Sequence, residues 1–381
     1  MMIPFDVYPL LDITPVSALG SKVIDNNSVS YLDLYGGHAV ISIGHSHPHY
    51  VARIQEQLQK IAFYSNSVQN PLQQELAQKL GTVCGYPDYG LFLCNSGAEA
   101  NENALKTAAF HTGRSKILAF SKAFHGRTMG AVACTDNPNI RSPFHIEGSV
   151  DFLPFNDIEA LQAALETREY AAVIIEGIQG VAGIIEPQPA FLQALQNRCR
   201  STQTLLILDE IQSGYGRTGA FFAHQHTGIR ADIVTMAKGM GNGFPIGGLI
   251  ISPEIKAVHG RLGTTFGGNH LACAAALAVL EVLEAEKLLE NAGKVGSYLL
   301  QALATFPQIS AIRGRGLMIG FDLPQGQAGL RKELLHTQHC ITGAAGTQTI
   351  RLLPALSLSM DEARECIQAL QTCLTNDSST L

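Results

Sequence analysis

Five apolar segments of strand length recur through the middle of the chain, and a polar residue closes each of them. They are GLFLCN (90–95), KILAFS (116–121), AAVIIE (171–176), LLILDE (205–210) and DIVTMAK (232–238). Segments with helical periodicity separate them, for example at 98–111 and 189–201. Strands that are apolar on both faces and alternate with helices predict an α/β domain with a mostly parallel central sheet flanked by helices.

The pattern changes after about residue 270. It predicts a long helix at 270–306, strands at 314–323 and 349–356, and a final helix at 359–375, which together indicate a smaller α+β domain. The N-terminal segment is expected to join this domain, because SVSYLDLYGG (28–37) has the pattern of a hairpin strand. The predicted division is an N-terminal part of the small domain, a large domain and a C-terminal part of the small domain, at 1–50, 51–270 and 271–381.

The composition is that of a soluble globular protein. The 381 residues are 46% hydrophobic and 15% charged, with a formal net charge of −6, so there is no basic field for nucleic acid. The longest apolar run, 271–283, is too short to span a bilayer and contains Glu281. The N-terminus has no signal-peptide pattern, so we expect a cytoplasmic protein that binds neither nucleic acid nor membrane.

Eight cysteines and the alternating histidines of GHSHPHY raise the question of a metal site. The cysteines lack the C-x-x-C spacing of zinc sites, and several lie in apolar runs, as reduced structural thiols do. His45, His47 and His49 have no acidic or cysteine partner at a useful spacing. No metal is therefore expected, and structural or capping roles are predicted for the three histidines.

Polar residues collect at the carboxyl ends of the predicted parallel strands, where open α/β sheets bind ligands. They are residues 95–98, Glu176, Asp209 with Glu210, and Lys238. A lysine alone would be interpreted as a surface residue, because lysines are rarely buried without a partner. An acid and a lysine at two strand ends, 29 residues apart, are a more specific arrangement.

The turn at 96–98 opens a helix, where backbone amides and the helix dipole bind anions. Dinucleotide and P-loop nucleotide binding are disfavoured, because neither glycine motif occurs in its required context. An aldehyde cofactor with a phosphate and a pyridine nitrogen accounts for the features together. Lys238 would attach it, Asp209 would keep its ring nitrogen protonated, and the turn would bind its phosphate. Phe124 would supply an aromatic face.

Longer motifs carry a family resemblance. They are FLCNSGAEANENALK, AFHGRTMG, LDEIQSGYGRTGAFFAH, DIVTMAKGMGNGFPIGG, GTTFGGNHLACAAALAVL, RGRGLMIGF and IRLLPAL, in family order between about residues 30 and 360. The sequence resembles a class III aminotransferase of pyridoxal-phosphate fold type I, in the N-acetylornithine aminotransferase branch. The resemblance implies the fold type I architecture and pyridoxal 5′-phosphate as the cofactor.

The resemblance implies transfer of the distal amine of an N2-acylornithine, acetylated or succinylated, to 2-oxoglutarate in arginine biosynthesis. The products would be the acylglutamate semialdehyde and glutamate. Two other activities stay open: another ω-aminotransferase acting on ornithine, 4-aminobutyrate or acyl-lysine, and an aminomutase of the same fold. A non-catalytic cofactor-binding protein is disfavoured, because Lys238 and Asp209 are both present.

The resemblance also implies roles at matching positions. Lys238 would hold the cofactor covalently and move a proton, for which a lysine must be neutral part of the time. Asp209 would pair with the ring nitrogen, while Gln212 would contact the oxygen side of the ring and Phe124 would stack on it. The phosphate contacts are expected from Ser96, Gly97 and Ala98 and, in the neighbouring subunit's site, from Thr265. A homodimer with shared active sites follows.

Two arginines match substrate-binding positions, and one of them lacks its usual partner. Arg127 matches the residue that binds the substrate α-carboxylate, which suits a bidentate guanidinium. Arg351 matches a second arginine that a glutamate neutralises while the diamine is bound, but Val181 occupies that acidic position here. Another acid, an anion or the substrate must then neutralise the charge of Arg351. The sharpest hypothesis is that the substrate does so, as N-succinylornithine would and N-acetylornithine would not.

Three further residues complete the predicted site. His38 replaces an aliphatic residue and Thr264 replaces the usual serine, both at positions that line the pocket mouth in the family. His38 would either hydrogen-bond a carboxylated acyl group or have a structural role only. Glu176 is expected to have a structural role.

Overall fold

The computed structural model describes residues 2–144 and 148–376. Met1 and residues 377–381, the outermost parts of the predicted end segments, lie outside the described residues. Fifteen strands, β1 to β15 in chain order, are Pro15–Leu19, Lys22–Asp25, Ser30–Asp33, Gly90–Cys94, Lys116–Phe120, Val150–Leu153, Tyr170–Glu176, Leu205–Asp209, Ile233–Met236, Gly247–Ile251, Ser310–Arg315, Met318–Asp322, Cys340–Ile341, Gly343–Ala345 and Thr349–Leu352. Eleven helices, α1 to α11, are Gly36–Ala39, Pro48–Lys60, Pro71–Cys84, Gly97–Thr112, Met129–Ala133, Ile158–Glu166, Pro189–Thr202, His270–Ala285, Leu288–Leu303, Ala328–His336 and Met360–Asn376.

Seven strands form the central sheet in the order β4-β10-β9-β8-β7-β5-β6. Neighbours from β9 to β6 pair in parallel, and β10 runs antiparallel to both β4 and β9. All residues of β7 and β8 are buried, which explains why they are continuous apolar runs in the sequence. The predicted mostly parallel α/β sheet is confirmed. The strands β6 and β10 were not predicted, because β6 is only partly buried and β10 begins with two glycines.

The carboxyl ends of the predicted strands meet at one edge of this sheet. Since β10 is antiparallel to both of its neighbours, β4 runs in the same direction as β5, β7, β8 and β9. Glu176 at the end of β7 lies directly opposite Asp209 at the end of β8. This alignment brings the acids of two strands beside the turn that follows β4 and the lysine that follows β9.

Two four-stranded sheets lie outside the central sheet, in the orders β1-β2-β3-β13 and β11-β12-β15-β14. The hairpin strand predicted within 28–37 is β3, which is antiparallel to β2. It also pairs in parallel with β13, a contact between the N-terminal and C-terminal segments that a shared small domain requires. The domain boundaries at 50 and 270 stay predictions.

The long helix predicted over 270–306 is wrong, because the structure has two helices there. α8 ends at Ala285 and α9 begins at Leu288, with Lys287 between them in the left-handed region at φ 52°. Neither glycine nor proline marks this break, so periodicity alone misses it. α8 is apolar almost all round and is buried against α2 and α3, whereas α9 packs one face against α11.

The single strand predicted over 314–323 is also wrong. It is a hairpin of β11 and β12 that turns at Gly316 and Leu317. Gly316 has a φ of 57°, and a Cβ on it would lie 2.6 Å from the carbonyl carbon of Thr218, so only glycine fits. The predicted strand over 349–356 ends early, at Leu352, whereas the final helix is confirmed as α11. No helix in the described parts of the chain is long and apolar enough to cross a membrane.

The break between α8 and α9 leads to a prediction with a built-in control. A left-handed conformation costs an L-residue about 1–2 kcal/mol, which glycine avoids. Lys287→Gly should therefore be neutral or stabilise the protein by up to about 1 kcal/mol. Lys294→Gly, at an exposed position inside α9, should destabilise it by about 1 kcal/mol. Thermal unfolding of both variants measures the difference, and equal losses would contradict the left-handed assignment.

Candidate active site

A cavity of about 430 Å³ lies at the carboxyl edge of the central sheet. Its lining brings together ten residues that the sequence analysis singled out: Ser96, Gly97, Ala98, Phe124, Arg127, Glu176, Val181, Asp209, Gln212 and Lys238. Four other predicted site residues do not line it: His38, Thr264, Thr265 and Arg351. The structure therefore separates a cofactor-sized centre from a set of residues at its margin.

Lys238 follows β9 and begins a short 3-10 turn, Lys238–Met240. Its φ of 45° is unusual for a lysine and turns the chain sharply at the cavity. Burial lowers the pKa of the Lys238 ammonium, Asp209 and Glu176 raise it, and Arg351 lowers it again. The net lowering increases the fraction of neutral amine, the form that attacks an aldehyde.

Asp209 is almost fully buried and is held by three donors. Its Oδ2 accepts hydrogen bonds from Asn101 Nδ2 and from His125 Nδ1, both at 2.8 Å, and its Oδ1 accepts one from the Ile211 amide at 3.0 Å. Thr235 in turn donates to Asn101 Oδ1 at 2.7 Å. Asn101 and His125 were not predicted as site residues, although both stand inside the longer sequence motifs.

The turn after β4 has the geometry of an anion site. Ser96 caps α4, and its Oγ accepts a hydrogen bond from the Glu99 amide at 3.2 Å. The amides of Gly97 and Ala98 come before the first intrahelical hydrogen bond and have no acceptor among the described residues. Gly126, at φ 136°, approaches so closely that a Cβ on it would lie 2.9 Å from the Ala98 Cβ. The glycine of the FHGR motif thus lets its loop reach the turn.

Glu176 accepts hydrogen bonds from two segments of the cavity wall. Its Oε1 accepts a hydrogen bond from the Phe124 amide at 3.0 Å, and its Oε2 accepts one from the Gly180 amide at 2.9 Å. Burial is the main cause that raises the pKa of Glu176, to about 7. These contacts fit the structural role expected for this residue.

Arg351 and His38 lie at the margin of the cavity. Arg351 is 5% exposed, and it donates to the Gly180 carbonyl at 3.0 Å and to the Tyr35 hydroxyl at 2.8 Å. The Tyr35 hydroxyl also meets His38 Nδ1 at 2.6 Å. The His38 carbonyl accepts a hydrogen bond from Gln212 Nε2 at 3.2 Å, which links this group to the cavity lining. Tyr35 was not predicted as a site residue.

The remaining predicted substrate and phosphate residues differ in their exposure. Arg127 is exposed at the cavity and forms no hydrogen bond or ion pair with a described residue. Thr264 Oγ1 accepts hydrogen bonds from the Gly267 amide at 3.1 Å and from Asn95 Nδ2 at 3.4 Å. Thr265 is exposed outside the cavity of its own chain.

The three histidines of GHSHPHY bind three different carboxylates, at distances of 2.8 Å, 2.8 Å and 2.5 Å: His45 to Asp33, His47 to Glu286 and His49 to Glu281. They do not converge on one point. Over the described residues, no group of three or more His, Cys, Asp or Glu side chains is arranged to hold a metal ion. All eight cysteines are buried.

Comparison with known proteins places this geometry in a family. The model of the family described as "Aminotransferase class-III" matches residues 6–374. The chain belongs to the class-III aminotransferases. The acetylornithine aminotransferase of Bacillus subtilis (strain 168) is 40% identical over 380 residues, which cover 98% of each chain. The acetylornithine aminotransferase of Archaeoglobus fulgidus is 42% identical over 352 residues, 92% of each chain.

A solved ornithine aminotransferase from Toxoplasma gondii, described with PLP at partial occupancy in its active site, superposes with a TM-score of 0.93. It is 27% identical, and the match covers 98% of this chain and 92% of that chain. The predicted fold type I architecture is thus confirmed for this class-III aminotransferase, and so is pyridoxal 5′-phosphate as its cofactor.

The residues of the cavity fit this cofactor. Gln212 Oε1 is buried without a hydrogen-bond partner among the described residues, so it can accept from a ring hydroxyl. The two unengaged amides at the start of α4 suit a phosphate. The carboxylate of Asp209 suits a protonated ring nitrogen, and Lys238 suits an aldehyde. The aminotransferase therefore has a matching group for each functional part of the cofactor.

Asn101 should matter for cofactor binding because its Nδ2 supports two residues of the cavity, donating to Asp209 Oδ2 at 2.8 Å and to the His125 carbonyl at 2.7 Å. Asn101→Ala removes one hydrogen bond to a buried carboxylate, worth about 1.5–3 kcal/mol, and so should weaken cofactor affinity by about 10-fold to 100-fold. Asn103→Ala is the matched control, because Asn103 lies on the same helix and bonds only the Glu99 carbonyl. Dissociation constants from the absorbance of bound cofactor provide the measurement. Equal affinities in the two variants would show that Asn101 does not support Asp209.

Proposed function

We propose that this enzyme transfers the distal amine of an N2-acylornithine to 2-oxoglutarate, giving the acylglutamate semialdehyde and glutamate, as a step of arginine biosynthesis. The observation that carries the proposal is the cavity in which Lys238 and Asp209 meet at adjacent strand ends. The substrate class comes from the relatives named acetylornithine aminotransferase, which match nearly the whole chain. The expected cytoplasmic location stays a prediction.

Lys238 and Asp209 have complementary parts in the chemistry. Bound pyridoxal phosphate supplies an aldehyde that takes up amino groups and a ring that accepts electrons. Lys238 would hold it covalently and would act as the base that moves a proton at the substrate carbon, since its lowered pKa favours the neutral amine. Asp209 keeps the ring nitrogen protonated, because a buried carboxylate favours a cation beside it.

Other residues of the cavity orient the cofactor. Phe124 provides a flat apolar face, and its position is fixed by the hydrogen bond from its amide to Glu176. Gln212 accepts from the oxygen side of the ring. The Ser96 hydroxyl and the amides of Gly97 and Ala98 hold the phosphate at the positive end of the α4 dipole.

Two guanidinium groups are proposed to bind substrate carboxylates. Arg127, exposed at the cavity without a described partner, binds the α-carboxylate of the amino donor in bidentate fashion. Arg351 binds the α-carboxylate of 2-oxoglutarate and of glutamate. His38 and Thr264 stay predicted substrate residues at the cavity margin, and the bonds of the Thr264 hydroxyl within its own chain support an indirect role for it.

The functional unit is proposed to be a homodimer with shared sites. Thr265 is exposed and lies outside its own cavity, which fits a residue that reaches the phosphate bound by a second copy. The ring of Phe266, 59% exposed beside Phe63, adds apolar surface that a second copy would cover.

A half-reaction screen tests the proposed activity. The purified enzyme is mixed in turn with N-acetylornithine, N-succinylornithine, ornithine, 4-aminobutyrate and acetyl-lysine, and loss of the cofactor absorbance band is followed. An acylornithine should react at least about 10-fold faster than the others, because ornithine and 4-aminobutyrate lack the acyl group and the side chain of acetyl-lysine is one methylene longer. Added 2-oxoglutarate should restore the band and release glutamate.

The controls for the screen are Lys238→Ala, which should not react, and Lys256→Ala, an exposed lysine that should behave as wild type. Faster reaction with ornithine or 4-aminobutyrate would replace the proposed substrate. Isomerisation of one substrate without 2-oxoglutarate would indicate an aminomutase.

Subunit mixing tests the shared site. Lys238→Ala and Thr265→Ala subunits are refolded together, so that each mixed dimer has one site with both residues intact. Random mixing should give roughly a quarter of wild-type activity above the separate variants, since half the dimers are mixed and each has one intact site. Lys238→Ala mixed with Asp209→Asn is the control without rescue, because both residues belong to the same cavity. Absence of rescue in the first mixture would refute the role of Thr265.

A further inference from the structure

A cluster beside the cavity, formed by Tyr35, His38 and Arg351, contains a buried cation with only neutral acceptors. The Arg351 guanidinium donates to the Gly180 carbonyl and to the Tyr35 hydroxyl, and its Nε is buried without a partner among the described residues. Its centre also lies 5.5 Å from the Tyr35 ring. A carbonyl, a phenol and an aromatic face orient the cation but leave its charge uncancelled.

No described carboxylate forms an ion pair with Arg351. The adjacent position that faces the cavity is Val181, an apolar side chain that is 47% exposed. Glu176 is the acid whose charge reaches Arg351, but its two oxygens already bind amides, and burial raises its pKa to about 7. The described residues therefore supply no effective counter-ion to Arg351.

A second cation strengthens the positive field. Arg331 of α10 affects the pKa of both Tyr35 and Arg351, and its described hydrogen bond goes to a carbonyl, that of Thr342, at 3.2 Å. Two neighbouring guanidiniums without a carboxylate form an unfavourable arrangement in a protein interior. A ligand that brings a negative charge to this place relieves it.

The hydrogen bonds of Tyr35 also fix the state of His38. Because an arginine only donates, the Tyr35 hydroxyl accepts from Arg351 and keeps its own proton, which we assign to the hydrogen bond with His38 Nδ1. His38 is then the neutral tautomer that carries its hydrogen on Nε2. Burial, Arg351 and Lys238 lower the pKa of His38, which keeps it neutral. The exposed imidazole thus presents an N–H donor at the cavity margin.

We propose that the cluster of Tyr35, His38 and Arg351 binds a carboxylate carried by the acyl group of the amino donor, as in a succinyl group. This inference rests on the proposed acylornithine activity and names its substrate class. 2-Oxoglutarate carries two carboxylates, so the site must hold two in one half-reaction. If the amino donor also has two carboxylates, Arg127 and Arg351 can each bind one carboxylate in both half-reactions. No acid is then needed to neutralise Arg351.

Two unreactive ligands isolate the extra carboxylate. N-Succinylnorvaline and N-acetylnorvaline both lack the distal amine and share the α-carboxylate, so they differ only in the acyl group. Calorimetric dissociation constants for the holoenzyme should favour the succinyl compound by at least about 10-fold, as expected for a hydrogen-bonded charge pair. Equal affinities in the wild-type enzyme would overturn the proposal.

Position 181 provides the matched variants. Val181→Glu places a carboxylate beside Arg351 and should reduce the preference for the succinyl ligand to about 1-fold to 3-fold, since the cation is then paired. Val181→Gln has the same size without the charge and should keep the full preference. Equal reductions in both variants would mean that volume and not charge controls the preference, against the proposal.

Failure of this inference is distinct from failure of the proposed function. If only the inference fails, both norvaline compounds bind equally and N-acetylornithine reacts well in the half-reaction screen. If the proposed function fails, neither compound binds and neither acylornithine reacts.

Discussion

The buried carboxylate of Asp209 is the charge on which the arrangement of the site depends. Moving a carboxylate out of water costs several kcal/mol, so a buried one needs donors on every side. The donors come from three different elements: Asn101 on α4, His125 in the loop after β5, and the amide of Ile211 in the turn after β8. The same α4 begins with the two unengaged amides of the proposed phosphate site, and the same loop carries Phe124 and Arg127. Satisfying one acid therefore fixes the position of most of the cavity wall.

The charges around the cavity divide into a balanced centre and an unbalanced margin. At the centre, Lys238 lies in the field of Asp209 and Glu176, which oppose the effect of burial on its pKa. At the margin, the described hydrogen-bond partners of Arg351 are the Tyr35 hydroxyl and the Gly180 carbonyl. Only glycine fits at position 180, because a Cβ there would overlap Gln212 Oε1. The cation at the margin is thus held by hydrogen bonds near the cavity, with no ion pair to a described carboxylate.

Much of the fold followed from local patterns. Continuous apolar runs and the helices between them gave the five central strands correctly, because burial on both faces leaves a direct trace in residue type. The errors arose at turns that the apolar pattern does not show. Lys287 breaks a helix with no glycine or proline, and the β11–β12 hairpin was merged into one strand although Gly316 lies at its turn. The antiparallel β10 was missed because a strand reached without a connecting helix does not follow the α/β alternation.

The sequence by itself determined which residues are proposed to carry the chemistry, because Lys238, Asp209 and the turn at 96–98 each stand at the end of an apolar strand. It also revealed that Val181 lacks a charge where Arg351 needs one. Only the tertiary structure decided which groups form hydrogen bonds with these residues. Asn101 and His125 meet Asp209 from 108 and 84 residues away, and Tyr35 meets Arg351 from 316 residues away. Such partners are set by how strands and helices pack, and a polar residue far along the chain carries no local sign of the charge that it will contact.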